Sequence, residues 1–571
     1  MRLLDSRRLT GPNLLWDREG AVLDVSLEPD AAEAAVAAWR REARRLLDAV
    51  GWKDEGIAAR RFPGGASLAV SAPVDALYAA TEVNEEAWAA ATTGLRGESG
   101  PDPAEAVERL RTAIARESKP ALLALRAAAA SRGVAFLSDD EQASVGLGTG
   151  SLTWFVDALP SPASVPWERV RDVPVALVTG TNGKTTAVRL LAAMARAAGL
   201  VAGLTSTDVI SVEGEVIDRG DYSGPGGART LLRDRRVELA VLETARGGIL
   251  RRGLAVRRAD AALVTNVAAD HLGDFGIGDL DALADAKMVV TRVVGPGGRV
   301  VLNADDPRLV ARAGRTAAPV VWFSLDPERS PACRLAAGES AWVLHGEALE
   351  RWQSGGRQHM AHVDDIPITF GGAARHNVAN ALAALALAEA LGLPQKAMLR
   401  GLRDVRGTAE DNPGRGNLYE LGGVTILLDY AHNPHGVAAV LGIASSLPAR
   451  RRLILLGQAG DRDEESIRDL ARAAWGLAPD RVVIKELPEM LRGRELGDVP
   501  ALLEDELRRL GASDDVIARA ANELDAVEQA LAWARSGDLL VLLVHTQRAE
   551  VLALLEKLRE GGWEAHRHQA V

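Results

Sequence analysis

The chain has 571 residues, and at about 150 residues per domain this length predicts three or four domains. Hydrophobic residues make up 47% of the sequence, which is enough for several buried cores and excludes wholesale disorder. The 67 Lys and Arg residues are outnumbered by 78 Asp and Glu residues, so the chain lacks the basic excess of a general nucleic-acid-binding protein. No nucleic-acid partner is expected.

Cys333 is the only cysteine, which excludes an intrachain disulfide framework and a zinc site built from several thiolates. Charged residues interrupt the first apolar residues of the chain, so neither a signal peptide nor an anchor is expected. The longest uncharged aliphatic stretch, residues 378–388, is shorter than the roughly 18 residues of a membrane span. These observations predict a cytoplasmic protein without a membrane partner.

Prolines at positions 160, 162 and 166 mark the clearest boundary, because closely spaced prolines disfavour both helix and sheet. Residues 1–160 are expected to form an N-terminal α+β domain with helices over residues 31–50 and 103–118. This region shows no cluster of catalytic residues.

After the prolines, short aliphatic runs alternate with helical segments, which predicts α/β domains with mostly parallel sheets. The turn-rich residues 410–414 are interpreted as a hinge between a central domain, 161–409, and a C-terminal domain, 410–571. The predicted strands are residues 175–178, 239–242, 261–264 and 299–302 in the first series, and 424–428, 453–456, 482–484 and 539–544 in the second.

A glycine-rich loop, Thr179 to Thr186, joins the first central strand to a predicted helix. Glycines at this place let backbone N–H groups converge on a phosphate, and the helix N-terminus adds partial positive charge. Lys184 is expected to reach the β- and γ-phosphates of ATP, and Thr185 to present its hydroxyl to Mg²⁺. The order of strand, loop, Lys-Thr and helix disfavours the alternative of a turn that merely starts a helix. The expected nucleotide contacts are Gly180, Thr181, Asn182, Gly183, Lys184, Thr185 and Thr186.

Two further side chains follow predicted strand ends, where open α/β sheets bind ligands. Glu243 directly follows residues 239–242, and His271 comes shortly after residues 261–264. Together with Thr185 they are candidate Mg²⁺ ligands, although a loop histidine with a purely structural role is the alternative for His271. Lys287 lies on a predicted helix. Because only 7 of the 67 Lys and Arg residues are lysines, a chemical role for Lys287 is favoured over a surface position.

The loop Gly-Thr-Asn-Gly-Lys-Thr-Thr is shorter than the common P-loop, and in this compact form it resembles the nucleotide loop of the Mur ligase family. The resemblance implies a central P-loop ATPase domain, a C-terminal Rossmann-like domain, and ATP- and Mg²⁺-dependent joining of an amine to a carboxylate. It implies catalytic roles for Lys184, Glu243, His271 and Lys287. In many members, the lysine that matches Lys287 is carbamylated and binds magnesium.

Further matches follow in family order. By resemblance, Asn377 and Asn380 lie around the adenine, Arg415 lies near a phosphate or the ribose, and Asp429 contacts the ribose. Asp461 lies in a loop that in Mur-type enzymes can touch the incoming amine.

Several longer motifs resemble the Mur ligase-like half of cyanophycin synthetases. They are Thr205-Ser206-Thr207-Asp208, residues 220–225, Glu243-Thr244-Ala245-Arg246-Gly247-Gly248, residues 301–306, Asn412-Pro413-Gly414-Arg415 and residues 491–494. The implied substrate contacts are Thr207, Asp208, Arg246, His432, Asn433 and Asp461. The N-terminal region is also similar, but residues 151–179 are too few to hold the ATP-grasp module that follows this region in those enzymes.

The expected function is therefore an ATP-dependent amide or isopeptide ligase that works through an acyl phosphate. The candidate substrates are an amino acid amine, arginine among them, and a carboxylate such as an aspartyl side chain. Two alternatives remain open: a non-catalytic or partner-dependent subunit of a cyanophycin-type synthetase, and a Mur-type ligase for an unrelated substrate. A homo-oligomer and a separate ATP-grasp partner also remain open.

Overall fold

A computed structural model describes residues 1–98, 102–270, 272–328 and 340–565. The elements of the N-terminal region are β1 (Arg2–Leu9), β2 (Gly20–Ser26), α1 (Ala32–Ala49), β3 (Ile57–Phe62), β4 (Gly65–Ser71), α2 (Leu77–Arg96), α3 (Pro103–Glu117), α4 (Pro120–Ser131), β5 (Phe136–Ser138), β6 (Gln142–Val145) and β7 (Leu152–Phe155). The first four strands form an antiparallel sheet in the order β1-β2-β4-β3, and the last three form a small sheet.

The four-stranded sheet has two buried faces. Leu23 and Val25 belong to the core with α1 and α2, where Trp39 donates a hydrogen bond to the buried Asn84 at 2.9 Å. Because side chains alternate along a strand, Val22 and Asp24 lie on the opposite face. Both are buried, and this second face packs against the central part of the molecule.

The central elements are β8 (Val175–Thr179), α5 (Lys184–Ala197), β9 (Ala202–Thr205), β10 (Val209–Val212), β11 (Glu215–Arg219), α6 (Pro225–Arg233), β12 (Leu239–Glu243), α7 (Arg246–Arg251), β13 (Ala259–Val264), α8 (Leu280–Lys287), β14 (Val294–Asn303), α9 (Pro307–Val310), β15 (Val320–Ser324), β16 (Ser340–His345), β17 (Ala348–Gln353), β18 (Gly356–His362), α10 (Arg375–Ala390) and α11 (Gln395–Asp404). The sheet order is β11-β10-β9-β12-β8-β13-β14-β15-β16-β17-β18. In this spatial order, the strands that lie between β9 and β16, with both ends included, pair in parallel. Antiparallel strands lie at both edges, β10 and β11 beyond β9 and β17 and β18 beyond β16.

The longest uncharged stretch of the sequence lies in α10, which packs against α5 and the sheet. Residues 381–388 of this helix are all buried, and an apolar surface on every side is typical of a helix inside a core. Among the described residues, no helix combines the length and apolar character needed to cross a membrane.

The C-terminal elements are β19 (Arg415–Leu421), β20 (Val424–Asp429), α12 (Pro434–Ser446), β21 (Arg452–Leu456), α13 (Glu464–Trp475), β22 (Arg481–Lys485), α14 (Asp498–Arg509), β23 (Ile517–Ala520), α15 (Glu523–Trp533), β24 (Leu539–Leu543) and α16 (Arg548–Glu560). Their sheet has the order β19-β20-β24-β21-β22-β23, with an antiparallel pair at one edge and parallel pairing elsewhere.

The α/β class predicted from the alternating pattern is confirmed, because both large sheets are mainly parallel and covered by helices. The proline-rich segment is not a flexible linker, because it packs against the N-terminal region. Val165 and Val170 are buried against Leu125 and Val145 of the N-terminal region. The domain boundaries at residues 160 and 409 stay predictions.

Candidate functional site

A large pocket of about 1110 Å³ lies between the carboxyl ends of the central and C-terminal sheets. Its wall includes the phosphate loop after β8, the residues that follow β12 and β13, and the residues that follow β20 and β21. This is the edge at which open α/β sheets bind ligands. The size is enough for a nucleotide together with a second small molecule.

The phosphate loop needs glycine at two positions. Gly180 and Gly183 have φ angles of +146° and +85°, which L side chains rarely adopt. A Cβ atom on Gly180 would overlap Thr265 Oγ1, and one on Gly183 would overlap Asn380 Oδ1. The backbone at Gly183 therefore turns directly into α5, and Lys184 is the first residue of that helix.

Residues that follow β13 hold the loop in this shape. Thr265 Oγ1 and Asn266 Nδ2 donate to the carbonyl of Asn182 at 2.7 and 3.0 Å, and Asn266 Oδ1 accepts from the N–H of Asn182. The backbone of Thr181 also donates to the Asn266 carbonyl. The protein's own hydrogen bonds thus hold the loop in this shape, which is the preorganisation that an anion site requires.

Glu243 lies at the centre of the predicted metal position. It is 2% exposed and accepts from the hydroxyls of Thr185 at 2.8 Å and Thr207 at 2.7 Å. The sequence prediction that Thr185 and Glu243 lie together therefore agrees with this geometry, and Thr207 joins them. His271 lies outside the described residues.

The oxygen atoms at this position fit Mg²⁺. The described residues contain no group of three His, Cys, Asp or Glu side chains that could enclose a metal. Mg²⁺ needs no such cage, because it commonly takes one or two carboxylates, substrate phosphates and water. Glu243 and Thr185 offer a carboxylate and a hydroxyl beside the phosphate loop, which is the hard-oxygen set that this ion prefers.

Two lysines line the pocket. The ammonium of Lys184 donates to the carbonyl of Thr181 at 2.9 Å, so it bends back over its own loop. Lys287, the last residue of α8, is 3% exposed, which excludes a surface position. Burial lowers the pKa of Lys287 well below its ordinary value. The positive charges of Lys184 and Arg246 add to that shift, and Asp270 opposes it.

The predicted adenine residues lie on α10. Asn377 and Asn380 are buried and bonded to each other at 3.2 Å, and Asn377 also donates to the carbonyl of Ile368. His376 lies beside them in the pocket wall. Burial lowers the pKa of His376 to about 4, with a further contribution from His435, so the ring is neutral near neutral pH.

Arg415 and Asp429 face each other across the first two strands of the C-terminal sheet and both line the pocket. Burial raises the pKa of Asp429, although Arg415 and the backbone N–H groups of Gly416, Tyr430 and Ala431 oppose that shift. The ring of Tyr430 lies under the guanidinium of Arg415, 4.3 Å from its centre. This wall can offer a carboxylate to hydroxyl groups and a cation to a phosphate.

The C-terminal domain contacts the phosphate loop itself. The side-chain amides of Asn182 and Asn433 exchange hydrogen bonds of 3.2 and 3.1 Å. Asn433 also caps α12 by accepting from the N–H of Gly436. Asn433, which the resemblance assigned to the substrate, thus lies against the nucleotide loop.

Asp208 lies outside the pocket wall and instead joins the two domains. Its carboxylate accepts from Arg548 at 2.6 Å and lies 3.5 Å from Arg189. Burial alone would raise the pKa of Asp208, but Arg415, Arg548 and Arg189 outweigh burial and lower it. The predicted substrate role of Asp208 stays a prediction, and the described contacts make it a domain contact.

The far side of the pocket carries a network of mixed charge. Asp461 pairs with Arg462 at 3.1 Å and with Arg492 at 2.6 Å, while Asp270 pairs with Arg462 and lies 3.5 Å from His432. Arg246, at the start of α7, pairs with Asp274 at 2.9 Å on the central-domain wall. Carboxylates and guanidinium groups therefore alternate where a zwitterionic ligand could fit.

Sequence reasoning missed the loop that follows β24. It carries His545, which bonds to the carbonyl of Ala431, and it leads to Arg548, the first residue of α16, which donates to Asp208. The buried pair Lys485 and Glu523 holds this loop, because Glu523 also accepts from the N–H groups of His545 and Gln547. The sequence could have indicated these residues, because they come directly after a predicted strand, where α/β sheets bind ligands.

Two family matches cover most of the residues described above. Residues 178–388 match the Mur ligase middle domain, and residues 414–543 match the Mur ligase, glutamate ligase domain. The chain belongs to the Mur ligase family. Members of this family are ATP-dependent ligases, and the sequence prediction of the family is confirmed.

The curated relatives include cyanophycin synthetases. That of Synechocystis sp. is 40% identical over 333 residues, which are 58% of this chain and 38% of the relative. That of Trichormus variabilis is 37% identical over 379 residues, which are 66% of this chain and 42% of the relative. The chain therefore spans about two fifths of the length of these relatives.

More distant similarities are found in sequence and in structure. The UDP-N-acetylmuramoyl-L-alanyl-D-glutamate–2,6-diaminopimelate ligase of Chlamydia pneumoniae is 29% identical over 304 residues, 52% of this chain and 59% of the relative. The structure of E. coli FolC in complex with ADP, without folate substrate, is 20% identical and has a TM-score of 0.50, covering 68% of this chain and 90% of FolC. At that identity the likeness concerns the fold alone.

Proposed function

We propose that the chain is an ATP-dependent carboxylate–amine ligase. The observation that carries the proposal is the cluster of Thr185, Glu243 and Thr207 beside a phosphate loop that tolerates only glycine at positions 180 and 183. This arrangement suits the terminal phosphates of a nucleotide and a divalent cation. Glu243 and Thr185 would hold Mg²⁺, which withdraws charge from the phosphate oxygens when bound.

The reaction has two steps. A substrate carboxylate attacks the γ-phosphorus of ATP, ADP leaves, and an acyl phosphate forms. Lys184 and the N–H groups of the loop stabilise charge on the transferring phosphoryl group. An amine then attacks the acyl carbon, and inorganic phosphate leaves. Arg415 and Asp429 hold the nucleotide while the C-terminal domain closes the pocket and keeps out water that would hydrolyse the acyl phosphate.

We further propose an amino acid as the amine substrate, with arginine as the first candidate. The pairs formed by Asp461, Arg462, Arg492 and Asp270 support this choice. The guanidinium of a bound arginine could pair with the carboxylates of this network, and its α-carboxylate could pair with the guanidinium groups. The carboxylate substrate is proposed to be an aspartyl side chain, on the likeness to cyanophycin synthetases.

Substrate-dependent release of phosphate tests the proposal. The purified chain receives ATP and Mg²⁺ with a matrix of carboxylates (aspartate, β-aspartyl-arginine, cyanophycin fragments, glutamate) and amines (arginine, lysine and others). Lys184→Ala serves as the inactive control, and Lys53→Ala, at an exposed position, as the active one. A single productive pair with an amide product supports the ligase. ATP binding without turnover for every pair of substrates would favour the alternative function, a subunit that needs a partner such as a separate ATP-grasp protein.

A further inference from the structure

A strained residue lies in the wall of the pocket. Phe275 has a φ angle of +52°, a conformation that a bulky aromatic residue rarely adopts, and it lines the pocket together with Asp274. Asp274 in turn pairs with Arg246 at 2.9 Å. The strained backbone at Phe275 therefore directly adjoins the residue whose carboxylate pairs with the Arg246 guanidinium.

The N-terminal region supplies several of the contacts that hold Phe275, beside Arg251 of α7, which lies 5.7 Å from the centre of its ring. The guanidinium of Arg60, on β3, donates to the carbonyls of Phe275 at 2.7 Å and Gly276 at 3.1 Å. The guanidinium of Arg7, on β1, lies 4.7 Å from the centre of the Phe275 ring. Gly276 packs against Phe62, so closely that a Cβ on Gly276 would overlap the ring.

Arg60 is itself held at this face of the N-terminal sheet. Arg60, Ser67 and Asp24 are cross-strand neighbours in one row of the sheet, and Asp24 also accepts from Arg7 at 2.6 Å. Burial lowers the pKa of Arg60, and Asp24 opposes that shift. A guanidinium keeps its charge under such conditions, so both hydrogen bonds to the Phe275 loop are charge-assisted.

Main-chain contacts fix the N-terminal region against the central domain. The N–H of Thr10 donates to the carbonyl of Arg252, and the N–H of Leu254 donates to the carbonyl of Pro12, both at 2.7 Å. A Cβ on Gly11 would overlap the carbonyl of Leu254. These contacts pack the segment that follows β1 directly against the segment that follows α7, so the sheet that carries Arg60 adjoins the part of the central domain that carries Arg246.

We propose that Arg60 is a positioning residue for the ligase site: it fixes the left-handed backbone at Phe275 and so places Asp274 and Arg246 for the carboxylate substrate. The inference rests on the ligase function proposed above. In the central sheet, β12 and the strands that α10 covers lie on opposite sides of β8. Arg246 follows β12, whereas the residues expected to contact the adenine of the nucleotide lie on α10. Loss of Arg60 therefore acts on the carboxylate substrate and leaves ATP binding unchanged.

Three variants test the proposal. Arg60→Ala removes both hydrogen bonds, and Arg60→Lys keeps one donor group. Arg61→Ala is the matched control, because Arg61 is the next residue of β3 and is exposed. For Arg60→Ala we expect KM for the carboxylate to rise about tenfold with KM for ATP unchanged, since two charge-assisted hydrogen bonds are lost. Arg60→Lys should recover part of this loss, and Arg61→Ala should behave as the wild type.

Hydrogen exchange provides a readout that needs no turnover. Backbone N–H groups of residues 272–278 should exchange about tenfold faster in Arg60→Ala, while those of residues 180–186 should not change. Equal exchange in wild type and Arg60→Ala, or an equal rise of both KM values, would overturn the proposal. If the wild type joins no substrates at all, the ligase function fails, and the exchange result still decides the role of Arg60.

Discussion

The side-chain amides of Asn182 and Asn433 bond to each other in both directions, at 3.2 and 3.1 Å. Asn182 belongs to the phosphate loop, and Asn433 is the N-cap residue of α12 in the C-terminal domain. This pair therefore joins the nucleotide position to the second domain. Binding of a ligand at the phosphate loop and closure of the pocket by the C-terminal domain therefore involve the same contact.

The amide pair of Asn182 and Asn433 can be removed without removing the helix cap. Asn433→Ser should lose the amide pair while keeping the helix cap, because serine caps helices about as well as asparagine. We expect a melting temperature close to that of the wild type and a KM for ATP raised by about tenfold through the loss of two hydrogen bonds. Asn433→Ala, which also removes the cap, should lower the melting temperature. An unchanged KM for ATP in Asn433→Ser would contradict the coupling.

Glu243 should be indispensable for turnover. Glu243→Gln keeps the shape of the side chain and removes its charge, so we expect kcat to fall at least about a hundredfold and the Mg²⁺ concentration for half-maximal rate to rise. Thr207→Val is the graded control, because it removes one hydrogen bond to Glu243 and leaves the carboxylate and Thr185 in place. Steady-state rates over a Mg²⁺ titration measure both. Equal Mg²⁺ dependence in all three proteins would disprove the assignment.

Lys287 is proposed to carry a carbamate. Burial and the nearby charges of Lys184 and Arg246 lower the pKa of Lys287 against the opposing effect of Asp270, and this favours the neutral amine, which is the form that reacts with CO₂. The resulting anion would be attracted to the same two cations. Carbon NMR with isotopically labelled bicarbonate should show a carbamate signal that is absent from Lys287→Ala. Short carboxylic acids should restore part of the activity of that variant. A wild-type spectrum without the signal would exclude the modification.

His376 should make stability depend on pH. Its pKa is about 4 in the folded protein and about 6.5 in the unfolded chain, so between these values the unfolded state binds more protons. Stability from this group is therefore present at high pH and is lost as the pH falls below about 6.5, by roughly 1 to 2 kcal/mol at pH 5. Denaturant unfolding should show a smaller pH effect in His376→Gln, whereas His359→Gln, at an exposed position, should match the wild type. Equal pH effects in all three proteins would refute this account.

Asp208 should stabilise the contact between the two domains. Asp208→Asn leaves the guanidinium groups of Arg189, Arg415 and Arg548 without their shared counter-charge, so we expect a loss of about 2 kcal/mol, below the range for a fully buried pair. Arg548→Gln should cost less, because Asp208 keeps Arg189. Arg236→Gln, from an exposed pair with Glu215, should have almost no effect. Chemical unfolding of the three variants checks this order, and an Asp208→Asn variant as stable as the wild type would contradict it.

The phosphate loop could be predicted from sequence because its chemistry is local. Strand, glycines, Lys184, Thr185 and helix occur within one short segment, and the buried strand before it ends at Thr179 as the pattern indicates. Glu243 could be placed for a similar reason, since it ends a strand that pairs with β8 in parallel register.

The contacts between distant segments could not be predicted in the same way. Arg548 and Asp208 are 340 positions apart, and Arg60 and Phe275 are 215 apart. No periodicity or motif connects such residues, because their proximity depends on how whole domains pack. The position of Asp208 at a domain contact rather than in the pocket wall is the clearest example.

The most direct measurement follows oxygen from the carboxylate substrate into phosphate. The carboxylate is labelled with heavy oxygen and incubated with the enzyme, ATP, Mg²⁺ and the amine, and the released phosphate is analysed by mass spectrometry. The acyl phosphate account predicts that each released phosphate carries one oxygen from the carboxylate. Phosphate without the label, released while an amide forms, would contradict it.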